Sequence, residues 1–204
     1  MISGLTADFV GHAENAPRTI VRKAAMRDIQ PLLDLINDYA AKGIMLPRTE
    51  FELSENMRDF SVIYSNNKLI GCGALHFYSP TMGEIRSLAV AESAKTHGIG
   101  RLIVETLVEE AREYCLDAVF AFTYVPGFFA KVGFDEVERG ELPLKAWKDC
   151  LRCPKFQSCD EIAVVRILEP ERWKEHRGHQ AQQMPAGLLD GDSFIQLPSL
   201  RTAS

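Results

Sequence analysis

The sequence predicts an α/β (α+β) fold in which one mixed, mostly antiparallel sheet is flanked by helices. Apolar strands at residues 60–64, 69–78 and 84–90 follow one another with turns between them, which is typical of an antiparallel meander. A helical segment separates the last of these from a buried apolar run at 118–123, so the fourth and fifth strands can run parallel through a crossover. With 204 residues and 46% hydrophobic composition, the chain can bury one substantial core.

The first elements follow from periodicity and turn residues. A short strand at 19–23 leads into a segment whose apolar residues recur at helical spacing. Asp28 is the expected N-cap of this helix and Gly43 its end. A second helix is expected just after Arg48.

The later elements continue the alternation of strands and helices along the chain. A glycine-bearing turn at 95–101 precedes an amphipathic helix, and a short helix after the fifth strand ends at Gly133. A final hairpin should pair a strand near 134–137 with one at 161–168. The predicted buried face of the amphipathic helix consists of Ile103, Leu107, Ala111, Tyr114 and Cys115.

We expect one domain with two appendages. Residues 1–17 show neither helical nor strand periodicity and are expected to be a loose leader before a domain at 18–169. The tail at 170–204 is rich in Gln, Gly, His and Pro, and we expect it to be mobile or an oligomer contact, as in a homodimer.

Charge and hydropathy exclude several partners. The formal charge of −5 gives no overall electrostatic reason to bind nucleic acid or an anionic membrane. No stretch approaches the roughly 20 apolar residues that span a bilayer, and the opening residues lack the pattern of a secretory signal. The expected location is cytoplasmic.

The turn Lys95-Thr96-His97-Gly98-Ile99-Gly100-Arg101 stands between a strand and a helix. At a helix N-terminus, main-chain N–H groups and the helix dipole favour an anion, and glycines let a phosphate approach the main chain. A tight turn without a ligand is the alternative. A dinucleotide-binding fingerprint is excluded because the third glycine is missing, and a Walker motif because no Gly-Lys-Ser/Thr ending follows.

Two motifs in this order resemble the GNAT acetyltransferases. Residues 95–100 correspond to the family's Gln/Arg-x-x-Gly-x-Gly/Ala, with lysine in the first place, and PGFFAKVGF at 126–134 is similar to its FYxKxGF element. The resemblance implies the GNAT fold, with the fourth and fifth strands splayed, and acetyl-CoA as co-substrate. The residues it assigns to acetyl-CoA are Leu88, Ala89, Val90, Lys95, Thr96, His97, Gly98, Ile99, Gly100, Arg101 and Phe129.

Acetyl transfer to an amine requires an unprotonated amine and a polarised thioester. Glu84, at a strand position where some GNAT members carry a carboxylate, is the expected base, and a solvated acid is the alternative. Phe129 stands where many members have a tyrosine that protonates the leaving thiolate. Thr123 and Tyr124 are the candidates to donate to the thiolate or to hold the substrate; alternatively, Thr123 satisfies a backbone group and Tyr124 packs.

The stretch at 43–63 resembles N-acetylglutamate synthases, and neighbouring motifs resemble their short, single-domain form. An acidic amino acid presents two carboxylates, for which guanidinium groups are the natural partners. Arg48 and Arg86 are the expected substrate-binding arginines; ordinary ion pairs with Glu50 or Glu52, and with Glu84, are the alternatives. Tyr124 stands where the longer synthases have an arginine, which leaves glutamine or another small amino acid open.

Cys150, Cys153 and Cys159 form a Cys-x2-Cys-x5-Cys cluster. With a fourth ligand, three thiolates can hold a structural zinc; free or redox-active thiols are the alternative.

Taken together, these features predict an N-acetyltransferase that acts on the α-amino group of a small amino acid, L-glutamate first, by direct transfer in a ternary complex. Two alternatives stay open. The first is another acceptor, such as glutamine, a peptide N-terminus, lysine or a polyamine, and the second is a non-catalytic acyl-CoA-binding module.

Overall fold

The chain folds around a mixed sheet with helices on both faces. The structure, a computed structural model, describes residues 19–138, 142 and 158–175. No helix within these residues is long and apolar enough to cross a membrane. In chain order, the elements are β1 (Thr19–Lys23), α1 (Ile29–Ala41), α2 (Glu50–Glu55), β2 (Phe60–Ser65), β3 (Lys68–Phe77), β4 (Met82–Val90), α3 (Ile99–Glu113), β5 (Ala118–Thr123), α4 (Pro126–Ala130), β6 (Asp135–Val137) and β7 (Ile162–Ile167).

The sheet has seven strands in the order β1-β2-β3-β4-β5-β7-β6. Strands β1 to β4 form the predicted antiparallel meander, β4 and β5 are parallel, and β7 is antiparallel to both β5 and β6. The predicted fold class is therefore confirmed. The described residues also fall into two compact units that divide between Glu169 and Pro170, and residues 170–175 of the second unit are helical. The expected leader, 1–17, lies outside the described residues.

The parallel strands β4 and β5 pair at one end only. The register joins Met82–Glu84 to residues 118–120 and stops at the pair Glu84 and Phe120. The closed end is held by Asp117, whose N–H donates to the Thr81 carbonyl oxygen at 2.8 Å. Beyond Glu84 the two strands separate, and an opening forms in the sheet.

Helix α3 covers one face of the sheet at short distance. A Cβ on Gly73 of β3 would lie 2.7 Å from Cγ2 of Ile103, so only glycine allows this approach. The core on this face contains Ile103, Val104, Leu107 and Val108 of α3. Helices α1 and α2 cover the other face through a second core with Leu32, Ile36, Leu53, Phe60 and Val62.

The predicted buried face of α3 is wrong for its last two residues, Tyr114 and Cys115. Tyr114 is 59% exposed and Cys115 is also exposed. The helix ends at Glu113, and Cys115 has a left-handed φ of 57°, so the chain turns back towards Leu116 before these side chains can reach the core. Ala111 is the last α3 residue that packs against the sheet.

Asp28 precedes α1 as predicted, but its side chain does not cap the helix. Its two oxygens accept hydrogen bonds from both terminal nitrogens of Arg22 at 2.7 and 2.8 Å, and from the Tyr64 hydroxyl at 2.9 Å. The Ala25 N–H donates to the same carboxylate at 2.7 Å. This buried carboxylate ties β1 and β2 to the start of α1.

Replacing Asp28 with Asn should destabilise the fold in a pH-dependent way. The hydrogen bonds from Arg22 above all lower the pKa of Asp28 from 3.8 to about 2. Because the pKa is lower in the folded state, the carboxylate stabilises the fold above about pH 4 and loses this effect as the pH falls through 2. Urea unfolding should show a loss of about 2 kcal/mol in Asp28→Asn at pH 7, shrinking towards pH 2.

The matched control is Asp34→Asn, an exposed change on the same helix. It should stay within about 0.5 kcal/mol of the parent protein at each pH. A loss in Asp28→Asn that is equal at pH 7 and pH 2.5 would contradict the proposed role of the charge.

Candidate active site

A cleft of about 930 Å³ opens where β4 and β5 separate. Its walls come from the diverging ends of these strands, the starts of α3 and α4, the α1–α2 connection and the segment before β7. Most residues predicted for the site line this one cleft. They are Arg48, Glu84, Arg86, Leu88, Val90, Lys95, Thr96, Gly98, Ile99, Gly100, Arg101, Thr123, Tyr124 and Phe129.

Two predicted residues do not bring their side chains to the cleft. Ala89 is 2% exposed and packs in the core beneath α1 and α2, because neighbouring residues of a strand point to opposite faces. His97 is exposed, and its ring Nδ1 lies 2.8 Å from the Lys95 carbonyl oxygen. For Ala89, any contact with a ligand in the cleft would come from the main chain.

The start of α3 provides main-chain N–H groups at one end of the cleft. Gly98 is the N-cap and has a φ of 76°, a left-handed conformation that favours glycine. The first intrahelical hydrogen bond runs from the Leu102 N–H to the Gly98 carbonyl oxygen, so the preceding N–H groups lie outside the helical ladder. This helix end can bind an anion such as a pyrophosphate.

Gly100 lies against an aromatic ring. A Cβ at this position would be 3.3 Å from two ring atoms of Phe128 in α4, which also lines the cleft. The absent side chain thus lets the Phe128 ring pack against the first turn of α3.

Tyr39 of α1 links two cleft walls. Its hydroxyl donates to the Val90 carbonyl oxygen at 2.7 Å, at the end of β4. The Lys95 ammonium lies 5.3 Å from the Tyr39 ring centroid and also pairs with Glu92. Sequence reasoning missed Tyr39, whose only signal was an apolar position on a helix.

Strand β4 contains an irregularity at the cleft. Cys72 pairs with Ala89 and Ala74 with Arg86, so two residues of β4 face the single Gly73 of β3. One of the two, Ser87, has a φ of 51°. Such a bulge leaves main-chain polar groups outside the ladder and re-aims them. Nothing in the sequence at Ser87 signals this bulge.

Glu84 and Arg86 line the cleft just beyond the last β4–β5 pair. Glu84 is 8% exposed. Nη2 of Arg86 lies 3.6 Å from Oδ2 of Asp59 and 3.3 Å from Oδ1 of Asn56. Oδ2 of Asp59 is also 2.6 Å from Nδ1 of His76.

Asp59 therefore orients the Arg86 guanidinium from behind the cleft. Sequence reasoning missed both Asp59 and His76. They are 17 positions apart in the chain, and only the pairing of β2 with β3 brings them together.

The hydroxyl candidates Thr123 and Tyr124 lie at the end of β5, and Phe129 lies in α4. Thr123 is 6% exposed and its Oγ1 accepts the Val125 N–H at 3.0 Å, which is the backbone role considered for it. Tyr124 is half-buried in the cleft wall. Phe129 is 3% exposed and packs at 5.1 Å, centroid to centroid, against Phe134.

Comparison with known proteins identifies the family. The acetyltransferase (GNAT) family model matches residues 29–134, half of the chain. The chain belongs to this family. It is an N-acetyltransferase, and it is 42% identical over 153 residues to an uncharacterised N-acetyltransferase of Chlorobaculum tepidum, covering 75% of this chain and 99% of that relative.

Two further relatives carry more specific names. The chain is 39% identical over 124 residues to an amino-acid acetyltransferase of Mycobacterium tuberculosis, covering 59% of this chain and 71% of that protein. It also superposes, with a TM-score of 0.68 and 29% identity, on N-acetylglutamate synthase of Neisseria gonorrhoeae complexed with coenzyme A and N-acetyl-glutamate. That match covers 74% of this chain but only 35% of the synthase, so this GNAT chain spans about a third of its length.

The zinc prediction for this GNAT protein is not tested. Cys150 and Cys153 lie outside the described residues. Cys159 lines the cleft, with its Sγ 3.9 Å from a Glu161 carboxylate oxygen, and the part of the chain that the structure describes contains no group of three potential ligands. Of the other thiols, Cys72 is fully buried, which raises its pKa to about 12, and Cys115 is exposed.

Changing Gly100 to Ala should weaken coenzyme A binding while the fold is retained. The added methyl group would lie 3.3 Å from the Phe128 ring, which would have to shift by a few tenths of an ångström. We expect part of this overpacking cost to fall on the bound state, where a penalty of about 1.4 kcal/mol raises the dissociation constant measured by calorimetry about tenfold. Gly127→Ala is the control, because a Cβ at Gly127 meets nothing within 4 Å. Equal affinities of the two variants would contradict this role of Gly100.

Proposed function

We propose that this N-acetyltransferase transfers the acetyl group of acetyl-CoA to the α-amino group of a small amino acid, L-glutamate first. This is the reaction of an N-acetylglutamate synthase, the first step of arginine synthesis. One observation carries the proposal. A single cleft joins the anion-binding start of α3 to a carboxylate and two arginines at the point where β4 and β5 separate.

In this proposal the coenzyme A pyrophosphate binds the main-chain N–H groups of residues 97–101, with Lys95 and Arg101 beside it. The pantetheine arm lies along Leu88–Val90, as a strand would, in the gap that β5 leaves open. The bulge at Ser87 then offers a main-chain N–H to the thioester oxygen, which gains negative charge during transfer. The acetyl carbon comes to rest near Glu84.

Glu84 serves as the general base. An α-amino group is largely protonated at neutral pH and must lose a proton before it can attack the thioester carbonyl. Glu84 takes this proton, directly or through a water molecule, as the C–N bond forms and the C–S bond breaks. Its position at the last β4–β5 pair, where the two strands begin to separate, supports this role.

The departing thiolate needs only modest acid assistance, since thiol pKa values lie near 8.5. Phe129 has no hydroxyl and is buried in an aromatic cluster. Tyr124 lies in the cleft wall and can protonate the thiolate. Thr123 can also donate its hydroxyl hydrogen while its oxygen accepts the Val125 N–H.

The acceptor assignment rests on the two arginines and on the relatives. Arg48 and Arg86 enter the cleft from separate walls, an arrangement suited to a molecule with two carboxylates. The relatives named amino-acid acetyltransferase and N-acetylglutamate synthase support the same class of acceptor. Glutamine is the main alternative, since Asp59 neutralises part of the Arg86 charge. Action in the cytoplasm and as a homodimer remain predictions.

Glu84→Gln should lower kcat at least about 100-fold, because general-base catalysis contributes factors of that order. Coenzyme A affinity should stay within about twofold of the parent, since the carboxylate is not part of the phosphate site. Thiol release from acetyl-CoA measures the rate, and calorimetry measures the affinity. Glu109→Gln, on the exposed side of α3, is the control. Full activity of Glu84→Gln across the pH range would show that another group is the base.

Thiol release across the twenty amino acids should give the highest kcat/KM for glutamate. Arg48→Met and Arg86→Met should each raise the KM for glutamate about tenfold or more, the expected effect of losing a charged hydrogen bond, while the KM for acetyl-CoA is unchanged. The control is Arg112→Met, which removes an exposed arginine paired with Glu109. If a peptide N-terminus or a polyamine is acetylated faster than every amino acid, the acceptor class proposed here is wrong.

A further inference from the structure

The connection between α1 and α2 forms one wall of the cleft and carries Arg48. Residues 43–48 all line the cleft and have no regular secondary structure. A substrate-binding side chain on such a connection needs support from a rigid element, because an ångström of looseness weakens binding. The question is what holds Arg48 in place.

A single side-chain amide holds both main-chain polar groups of Arg48. Nδ2 of Asn37 donates to the Arg48 carbonyl oxygen at 3.0 Å, and Oδ1 of Asn37 accepts the Arg48 N–H at 2.9 Å. Asn37 lies on α1 directly after Ile36, which is fully buried in the core. The Arg48 peptide groups are thus bound to a helix that is itself packed on the sheet.

The residues beside Arg48 restrict it further. Pro47 precedes it and has a fixed φ. Thr49 follows it as the N-cap of α2, and its N–H donates to a Glu52 carboxylate oxygen at 2.9 Å in a capping box.

Asparagine is a poor helix former because its amide competes for backbone groups. Its presence at position 37, well inside a 13-residue helix, is accounted for by the two bonds to Arg48.

We propose that Asn37 is a positioning residue for the amino-acid substrate, acting through Arg48. This inference rests on the proposed function, in which Arg48 binds a substrate carboxylate. The Asn37 amide sets the direction in which the Arg48 side chain leaves the main chain and so sets the affinity for the acceptor. Acetyl-CoA binds along β4 and α3 in that scheme, so its affinity does not depend on Asn37.

The test uses the full-length chain with four variants: Asn37→Ala, Arg48→Met, the double variant, and Asp38→Ala as the control. Asp38 is the neighbouring exposed residue of the same helix and does not line the cleft. Two quantities are measured. The first is the exchange rate of the Arg48 amide hydrogen, followed by NMR or mass spectrometry, and the second is the KM for glutamate and for acetyl-CoA.

In Asn37→Ala the Arg48 amide hydrogen should exchange at least about tenfold faster than in the parent protein, and the KM for glutamate should rise about tenfold. The kcat and the KM for acetyl-CoA should stay within about twofold of the parent values. In the Arg48→Met background, the same change should leave the KM for glutamate nearly unaltered, because the two residues act as one unit. Asp38→Ala should match the parent protein in both measurements.

Three results would overturn the inference. They are an unchanged Arg48 exchange rate in Asn37→Ala, faster exchange without a rise in the KM for the acceptor, and additive effects of the two substitutions on that KM. Failure of the proposed function gives a different pattern. If another amino acid is the acceptor, the same KM comparison is made with it. If no amino acid is acetylated, the proposed function and the inferred effect on KM both fail. The exchange rate of the Arg48 amide hydrogen then still tests the two hydrogen bonds from Asn37.

Discussion

The cleft exists because the parallel pairing of β4 with β5 ends after three residue pairs. At the closed end, Asp117 links the start of β5 to Thr81 and also accepts two N–H groups, those of Leu168 and Glu169, after β7. Beyond Glu84 the strands separate. No hydrogen-bonded ladder joins them there, and the space between them forms the cleft. Main-chain groups that a neighbouring strand would occupy are then available to a ligand with an extended, amide-bearing arm.

The position of α3 follows from the same sheet. Gly71 and Gly73 of β3 leave room for Ile99 and Ile103, so the helix lies close to the meander and its first turn meets the open end of the cleft. The helix N-terminus brings partial positive charge to that end. Glu84 stands at the other end, at the last strand pair. An anion bound at the helix N-terminus and a group bound beside Glu84 would therefore occupy different surfaces of the cleft.

Local patterns predicted the order of elements, the parallel β4 and β5, and the glycine turn before α3. These features depend on residues close together in the chain, where periodicity and turn chemistry operate. Contacts between distant residues were not predictable in this way. Arg86 lies beside Asp59, Asp28 binds Arg22 rather than the start of α1, and the end of α3 turns Tyr114 away from the core.

The sequence by itself determined the family, through two motifs whose residues are contiguous: a glycine turn before an amphipathic helix, and an aromatic segment after a buried strand. Only the tertiary structure decided how the side chains combine in one cleft. Arg48, Glu84 and Tyr124 belong to three separate segments, and the Asn37 amide reaches Arg48 across eleven positions of the chain. Such pairings depend on how helices and strands pack, because distances across a sheet or between helices are set by the whole core and not by the neighbouring residues.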